Sequence, residues 1–96
     1  MIIVRFRVQS KPEHLDEVIA SLRAVSAATW KLKGVIHFDI AQDLLDHTAL
    51  VVTEVFADED ASKAQNALPV LHDFLQLLRT AATGPFEVTF YEGQPR

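Results

Sequence analysis

Glu54 stands in the run Ala49–Phe56, ALVVTEVF, where every neighbour except Thr53 is apolar. A carboxyl group buried in such a strand loses the hydration of its charged form. Its pKa then rises, which would suit a general base working near neutrality. The competing role is structural, a carboxylate satisfied by helix N–H groups or by a basic side chain. His72, in LPVLHDF after Pro69, is the second candidate for proton transfer. Helical spacing sets it off the apolar stripe, on a solvated flank, unless the break at Pro69 swings it over a pocket mouth. No Ser-His-Asp or Cys-His order, P-loop or dinucleotide fingerprint accompanies these residues.

The aromatic residues are the natural walls for a planar ligand. Trp30, near the end of a helical stripe, offers either a stacking surface or core packing. Phe38, Phe56 and Phe74, with Phe6 and Phe90, serve equally as core or as the wall of an apolar pocket with few polar groups. His37 and Asp39 share one strand face and suit a cross-strand contact. Arg5, Arg7 and Tyr91 face away from the oily side, where Asp39 and Glu87 are available partners. His14 and His47 fall at a helix start and in a loop. Histidines and carboxylates do not recur at ligand spacing, so no metal site is expected.

Composition limits what these residues can serve. Net charge is −4, which disfavours nucleic acid, a partner that requires a basic footprint. The absence of cysteine removes disulfides, thiolate nucleophiles and Cys-based metal centres. No apolar run approaches the roughly 20 residues that span a bilayer, and MIIVRFRVQS lacks the charged n-region of a signal peptide. A cytoplasmic protein with no membrane partner is the expectation. With 96 residues, 49% of them hydrophobic, the chain is expected to form one domain with oily faces to hide.

The elements follow from period and punctuation. Ile2–Gln9 alternates and predicts a strand. Ser10-Lys-Pro-Glu13 predicts a capping box. A helix follows with Leu15, Val18, Ile19, Leu22, Val25 and Ser26 on one face, running to about Leu32 and ending at Gly34. Val35–Gln42 alternates, with Ile36, Phe38 and Ile40 on the oily face. After a loop at 43–48, Ala49–Phe56 reads as a strand covered on both faces. Asp58 caps a second helix that Pro69 divides. Phe86, Val88 and Phe90 then alternate in a last strand. The order β-α-β-β-α-β predicts a ferredoxin-like α+β fold with a four-stranded antiparallel sheet. Two helices cover one face of such a sheet. A second copy covering the other face, with two-fold symmetry, gives an expected homodimer.

The segments GVIHFDIAQD (34–43), TALVVTEVF with the acidic ADEDA (48–61), LPVLHDF (68–74) and TGPFEVTFYEG (83–93) resemble the antibiotic-biosynthesis-monooxygenase family of dimeric α+β barrels. The resemblance spans nearly the whole chain, from the first strand to the last of a single expected domain over residues 1–96, and rests on apolar patterning plus Gly34, Phe38, Asp43, Glu54 and Pro69. It implies a pocket between sheet and helices in each subunit. It also implies, for some members, oxidation of phenolic polyketides to quinones by dioxygen without metal or flavin. Related members degrade haem or isomerise small phosphorylated sugars. Val70 and Gln65 stand where the family often carries histidines, and Phe56 stands where it carries Trp.

The resulting expectation is a cofactor-independent monooxygenase acting on a small aromatic or phenolic molecule. Glu54 and His72 are its catalytic candidates, and Trp30, Phe38, Phe56, Gln65 and Phe74 are its substrate-binding candidates. The alternatives are a non-oxidative isomerase of a small hydroxyketone and a non-catalytic dimeric small-molecule-binding protein.

Overall fold

Residues 1–96 are described by a computed structural model. The elements are β1 (Ile2–Gln9), a 3-10 turn (Pro12–His14), α1 (Leu15–Thr29), β2 (Val35–Asp43), β3 (Asp46–Phe56), α2 (Glu59–Asn66), α3 (Pro69–Ala81) and β4 (Glu87–Glu92). The four strands form one antiparallel sheet in the order β2-β3-β1-β4. This is the split βαβ arrangement, with β1 and β3 inside and the helices on one face.

Strand parity divides the sheet. Val4, Phe6 and Val8 of β1 and Leu50, Val52, Glu54 and Phe56 of β3 are buried beneath the helices. Val18, Leu22 and Val25 of α1 and Phe74, Leu78 and Ala81 of α3 complete the main core with Phe6, Val8, Phe38, Leu50 and Val52. Val4, Phe56 and Ala61 form a smaller cluster under α2. Glu54 belongs to neither cluster. On the opposite face Thr53 is exposed and Val51 and Val55 are half-buried, so within one chain β3 is covered on its helix side only.

Several local expectations are corrected by tertiary contacts. Ser10 does not cap α1. It is fully buried, bridges to Ala82, and donates its hydroxyl to the Lys11 carbonyl at 2.8 Å. The adjacent N–H groups of Ser10 and Lys11 are taken by the carbonyls of Thr48 and Ala81. Sheet-to-helix pairing thus replaces the local box.

α1 ends at Thr29 rather than Leu32, because Lys31 and Leu32 donate to Ala28 and Thr29 in tight i→i−3 turns. Ile36 is squeezed out as a bulge between the pairs Val35↔Phe56 and His37↔Val55, which leaves it partly exposed instead of on the oily face. The 43–48 loop contracts to a two-residue turn, Leu44-Leu45, closed by Asp43 and Asp46.

Other features stand as expected. Gly34 adopts φ +86°, a left-handed conformation that glycine tolerates best. Its carbonyl accepts from the Ala57 N–H at 2.8 Å. A Cβ placed on Gly34 would meet the Ala61 Cβ at 3.0 Å. Asp58 caps α2, its Oδ1 accepting from the Ala61 N–H at 2.9 Å. Pro69 opens α3 at a position where no N–H partner is needed.

Candidate active site

Glu54 sits near the end of the inner strand β3, at the same parity as Val52 and Phe56, so its side chain rises into the space between sheet and helices. Its cross-strand neighbours are Val4 on β1 and Phe38 on β2, with Phe90 of β4 beyond Val4. This carboxyl is therefore flanked along the sheet by apolar side chains. It is 7% exposed, and its Oε1 is buried without a hydrogen-bond partner.

No cation offsets that burial. Arg7 lies on the opposite face, paired with Asp43 at 3.0 Å, and Arg5 approaches only Glu87, at 3.9 Å among exposed side chains. Desolvation alone raises the Glu54 pKa from 4.5 to about 7. The carboxylates of the hairpin turn show the reverse. Asp43 accepts from the Leu45 N–H and from Arg7, and Asp46 accepts from the hydroxyl and N–H of Thr48. Those bonds hold both below the usual carboxylate range.

Glu54 opens onto a cavity of about 180 Å³. Its floor is Val4, Phe6, Glu54 and Phe56 from the sheet. Leu71 and Leu75 of α3 form one wall, Ser62, Gln65 and Asn66 of α2 another, and Phe86, Val88 and Phe90 the outer rim. Eight of the twelve lining residues are hydrophobic, so the few polar groups present set orientation. A smaller void of about 30 Å³ adjoins it, reached by Phe6, Glu54, Gln65 and Leu71 as well, and bounded by Phe38 and Phe74.

Glu54, Phe56 and Gln65 are thus brought together at the larger cavity. Phe38 and Phe74 lie behind it, at the smaller void. Trp30 lines neither. It is 49% exposed at the end of α1, one residue on from the buried Thr29, with its N–H still bonded to the Ser26 carbonyl as in a regular helix. His72 also lines neither. It is exposed, and its Nε2 lies 3.0 Å from the Asn66 carbonyl, where it ties the end of α2 to the start of α3.

Sequence reasoning passed over Ser62 and Asn66. Their signal is the i, i+3, i+4 spacing of Ser62, Gln65 and Asn66, which puts three polar side chains on one face of α2. No group of three or more His, Asp or Glu side chains is arranged to hold a metal ion. No helix is long and apolar enough to cross a membrane.

Comparison with known proteins places this architecture. A protein from Deinococcus radiodurans, provisionally named an antibiotic biosynthesis monooxygenase, is 22% identical, with a TM-score of 0.91 over 100% of this chain and 95% of its own. A similarly named protein from Nitrosomonas europaea is 17% identical, with a TM-score of 0.89 over 97% and 98%. Rv0793 from Mycobacterium tuberculosis is 19% identical, with a TM-score of 0.89 over 99% and 96%. Identities this low establish a shared fold. No curated protein matches the chain. The family pattern described as antibiotic biosynthesis monooxygenase matches residues 1–77, from β1 into α3 and including Glu54 and Gln65. On that match, the chain belongs to the antibiotic biosynthesis monooxygenase family.

Proposed function

We propose that this protein is a cofactor-independent monooxygenase that oxidises a small aromatic or phenolic substrate with dioxygen, with Glu54 as the base. The observation that carries this reading is the unpartnered, buried Glu54 carboxyl at the floor of a largely apolar cavity. A carboxyl in that setting is half ionised near pH 7, the condition in which a base is both available and strong enough to act. Family membership supports the reaction class.

The cavity size suggests the substrate. At about 180 Å³ it somewhat exceeds the roughly 150 Å³ apolar cavity that takes up benzene. It suits one aromatic ring with substituents, or a larger planar system that leaves an edge at the rim. Phe6, Phe56 and Phe90 supply faces for the ring, and Gln65 with Ser62 supplies polar contacts for a carbonyl or hydroxyl.

Glu54 removes a proton from a phenol or from a methylene activated by the ring. The resulting electron-rich anion transfers an electron to dioxygen, and oxygen bonds to the carbon that carries the delocalised charge, which is the deprotonated methylene carbon or the ring position para to the phenolate. Overall a CH₂ becomes C=O, one oxygen atom enters the product, and the other leaves as water. The substrate supplies all four electrons that reduce dioxygen, so the balance requires no external reductant.

The same reading includes a homodimer formed through the open face of the sheet. Ile3, Val51 and Val55 are half-buried there, and Tyr91 is exposed, so a second copy would remove their apolar surface from water.

The test is dioxygen consumption with a panel of anthrone-like and phenolic compounds. Turnover lost in Glu54→Gln is the expected result. No turnover across the panel, with Glu54→Gln indistinguishable from the parent, would overturn the proposal. Turnover that persists without dioxygen would assign a non-oxidative isomerase instead.

A further inference from the structure

The smaller void beside Glu54 differs in character from the cavity that takes the ring. Its own walls, Leu22, Val25, Phe38, Val52 and Phe74, are core residues no more than 6% exposed. It measures about 30 Å³, room for one very small molecule and none for a ring. Phe6, Glu54, Gln65 and Leu71 line both spaces, so an occupant of the void lies one side chain away from whatever occupies the larger cavity.

We infer that this void is a holding site for dioxygen, placed behind the base and next to the ring. The inference deepens the oxidative reading above and rests on it for its catalytic use. Its physical basis is the contrast between two small occupants. A buried water makes two to four hydrogen bonds. Seven of the nine residues around the void are hydrophobic, and the two polar ones, Glu54 and Gln65, also face the larger cavity, where a substrate competes for them. Dioxygen forms no comparable hydrogen bonds and partitions from water into hydrocarbon surroundings. A void walled by Leu, Val and Phe therefore favours dioxygen over water. The location also makes chemical sense, because the gas need travel only past Phe6 or Leu71 to meet the anion that Glu54 generates.

Dioxygen is paramagnetic and serves as its own probe. Methyl NMR spectra of the whole chain are recorded under nitrogen and under dioxygen pressure. The methyl signals of Leu22, Val25 and Val52 are expected to relax several-fold faster under dioxygen. Those of Val8, Val18 and Leu50, which are equally buried but line neither space, serve as controls. Val25→Leu, which fills the void, is expected to abolish the excess. Val52→Ile fills it from the sheet side and replaces Val25→Leu if that variant fails to fold.

In the active enzyme either filling is expected to raise the KM for dioxygen several-fold while leaving the KM for the aromatic substrate within about twofold. Equal relaxation at both sets of methyls would overturn the inference, as would an unchanged KM for dioxygen in the filled variants. The relaxation experiment needs no turnover. A gas site in a protein inactive toward the whole panel would therefore count against the oxidative reading alone.

Discussion

At the residue scale, Glu54 governs both activity and stability, and its burial gives each a sign. As a base it works only when ionised. The rate should therefore rise with pH and reach half its plateau near pH 7, following the raised pKa. Glu54→Gln keeps the shape and removes the base, so kcat should fall by about 10²–10⁴-fold and the pH dependence should vanish. Initial rates of dioxygen uptake across the pH range check both.

The stability effect runs the other way. Folded Glu54 holds its proton to about pH 7, whereas the unfolded chain releases it near 4.5. In that window the native state binds more protons, so stability falls as pH rises through it and levels off above. The full shift corresponds to about 3 kcal/mol. Urea denaturation of the parent should show this decline, and Glu54→Gln should flatten it and be the more stable protein at pH 8.

That Glu54 is a special residue was readable in the sequence, since a carboxylate at an inward parity of an oily strand costs stability that packing does not return. The exposure of His72 was legible too, because helical spacing set it off the apolar stripe, and α3 is regular there. Its hold on the Asn66 carbonyl was not, since that contact crosses the α2–α3 break. Trp30 was ambiguous in the sequence because it stands on the shoulder of the α1 stripe, where core and surface are one residue apart.

At the element scale, the entry into β2 is the tightest joint near the site. Gly34 combines a left-handed φ with a backbone close against Ala61, the residue whose N–H Asp58 caps. Two separate penalties therefore meet any side chain there. Gly34→Ala is expected to lose about 1–3 kcal/mol of stability, measured by urea denaturation. Adding Ala61→Gly should recover the part due to contact and leave the part due to φ.

The punctuation at Gly34, Asp58 and Pro69 was legible because each rests on backbone chemistry local to one residue. The capping box at Ser10 and the straight oily face of β2 failed because both are settled by distant partners. Ser10 is claimed by Ala82 and Thr48, and the β2 ladder accommodates Ile36 only as a bulge against β3. Four consecutive residues carry no sign of either competition.

At the scale of the whole molecule, the open sheet face bears on assembly. Ile3 and Val55 stand side by side on it, Val51 pairs with Arg7, and Arg5 with Thr53 fills the row between, while Asp39 and Glu87 lie on the edge strands. A pair of copies joined there would take Ile3, Val51 and Val55 out of water and leave the charged and polar side chains between them to pair across the contact. Sedimentation velocity should find a dimer at micromolar concentration. Val55→Asp, which puts a charge beside Ile3 on that face, should shift the protein to monomer without changing its far-ultraviolet circular dichroism. The element order and its antiparallel sheet were legible at this scale, because alternation and helix stripes are strong over whole segments. The extent of the cavity was not, since it depends on how far α2 stands from β4, and no local pattern encodes that distance.

β4 is the one strand with every residue exposed, and it is paired along a single edge, to β1. It nonetheless supplies Val88 and Phe90 to the rim of the cavity, and it lies beyond the segment matched by the family pattern. The site therefore joins a floor of high local stability to a wall of low local stability. Amide hydrogen exchange should resolve this, with the β4 amides exchanging well before those at Val52 and Glu54. A chain built this way can admit a bulky molecule by local opening while the base stays fixed. It can also change the size of what it accepts by substitution at Val88 or Phe90 without altering the strand that carries Glu54.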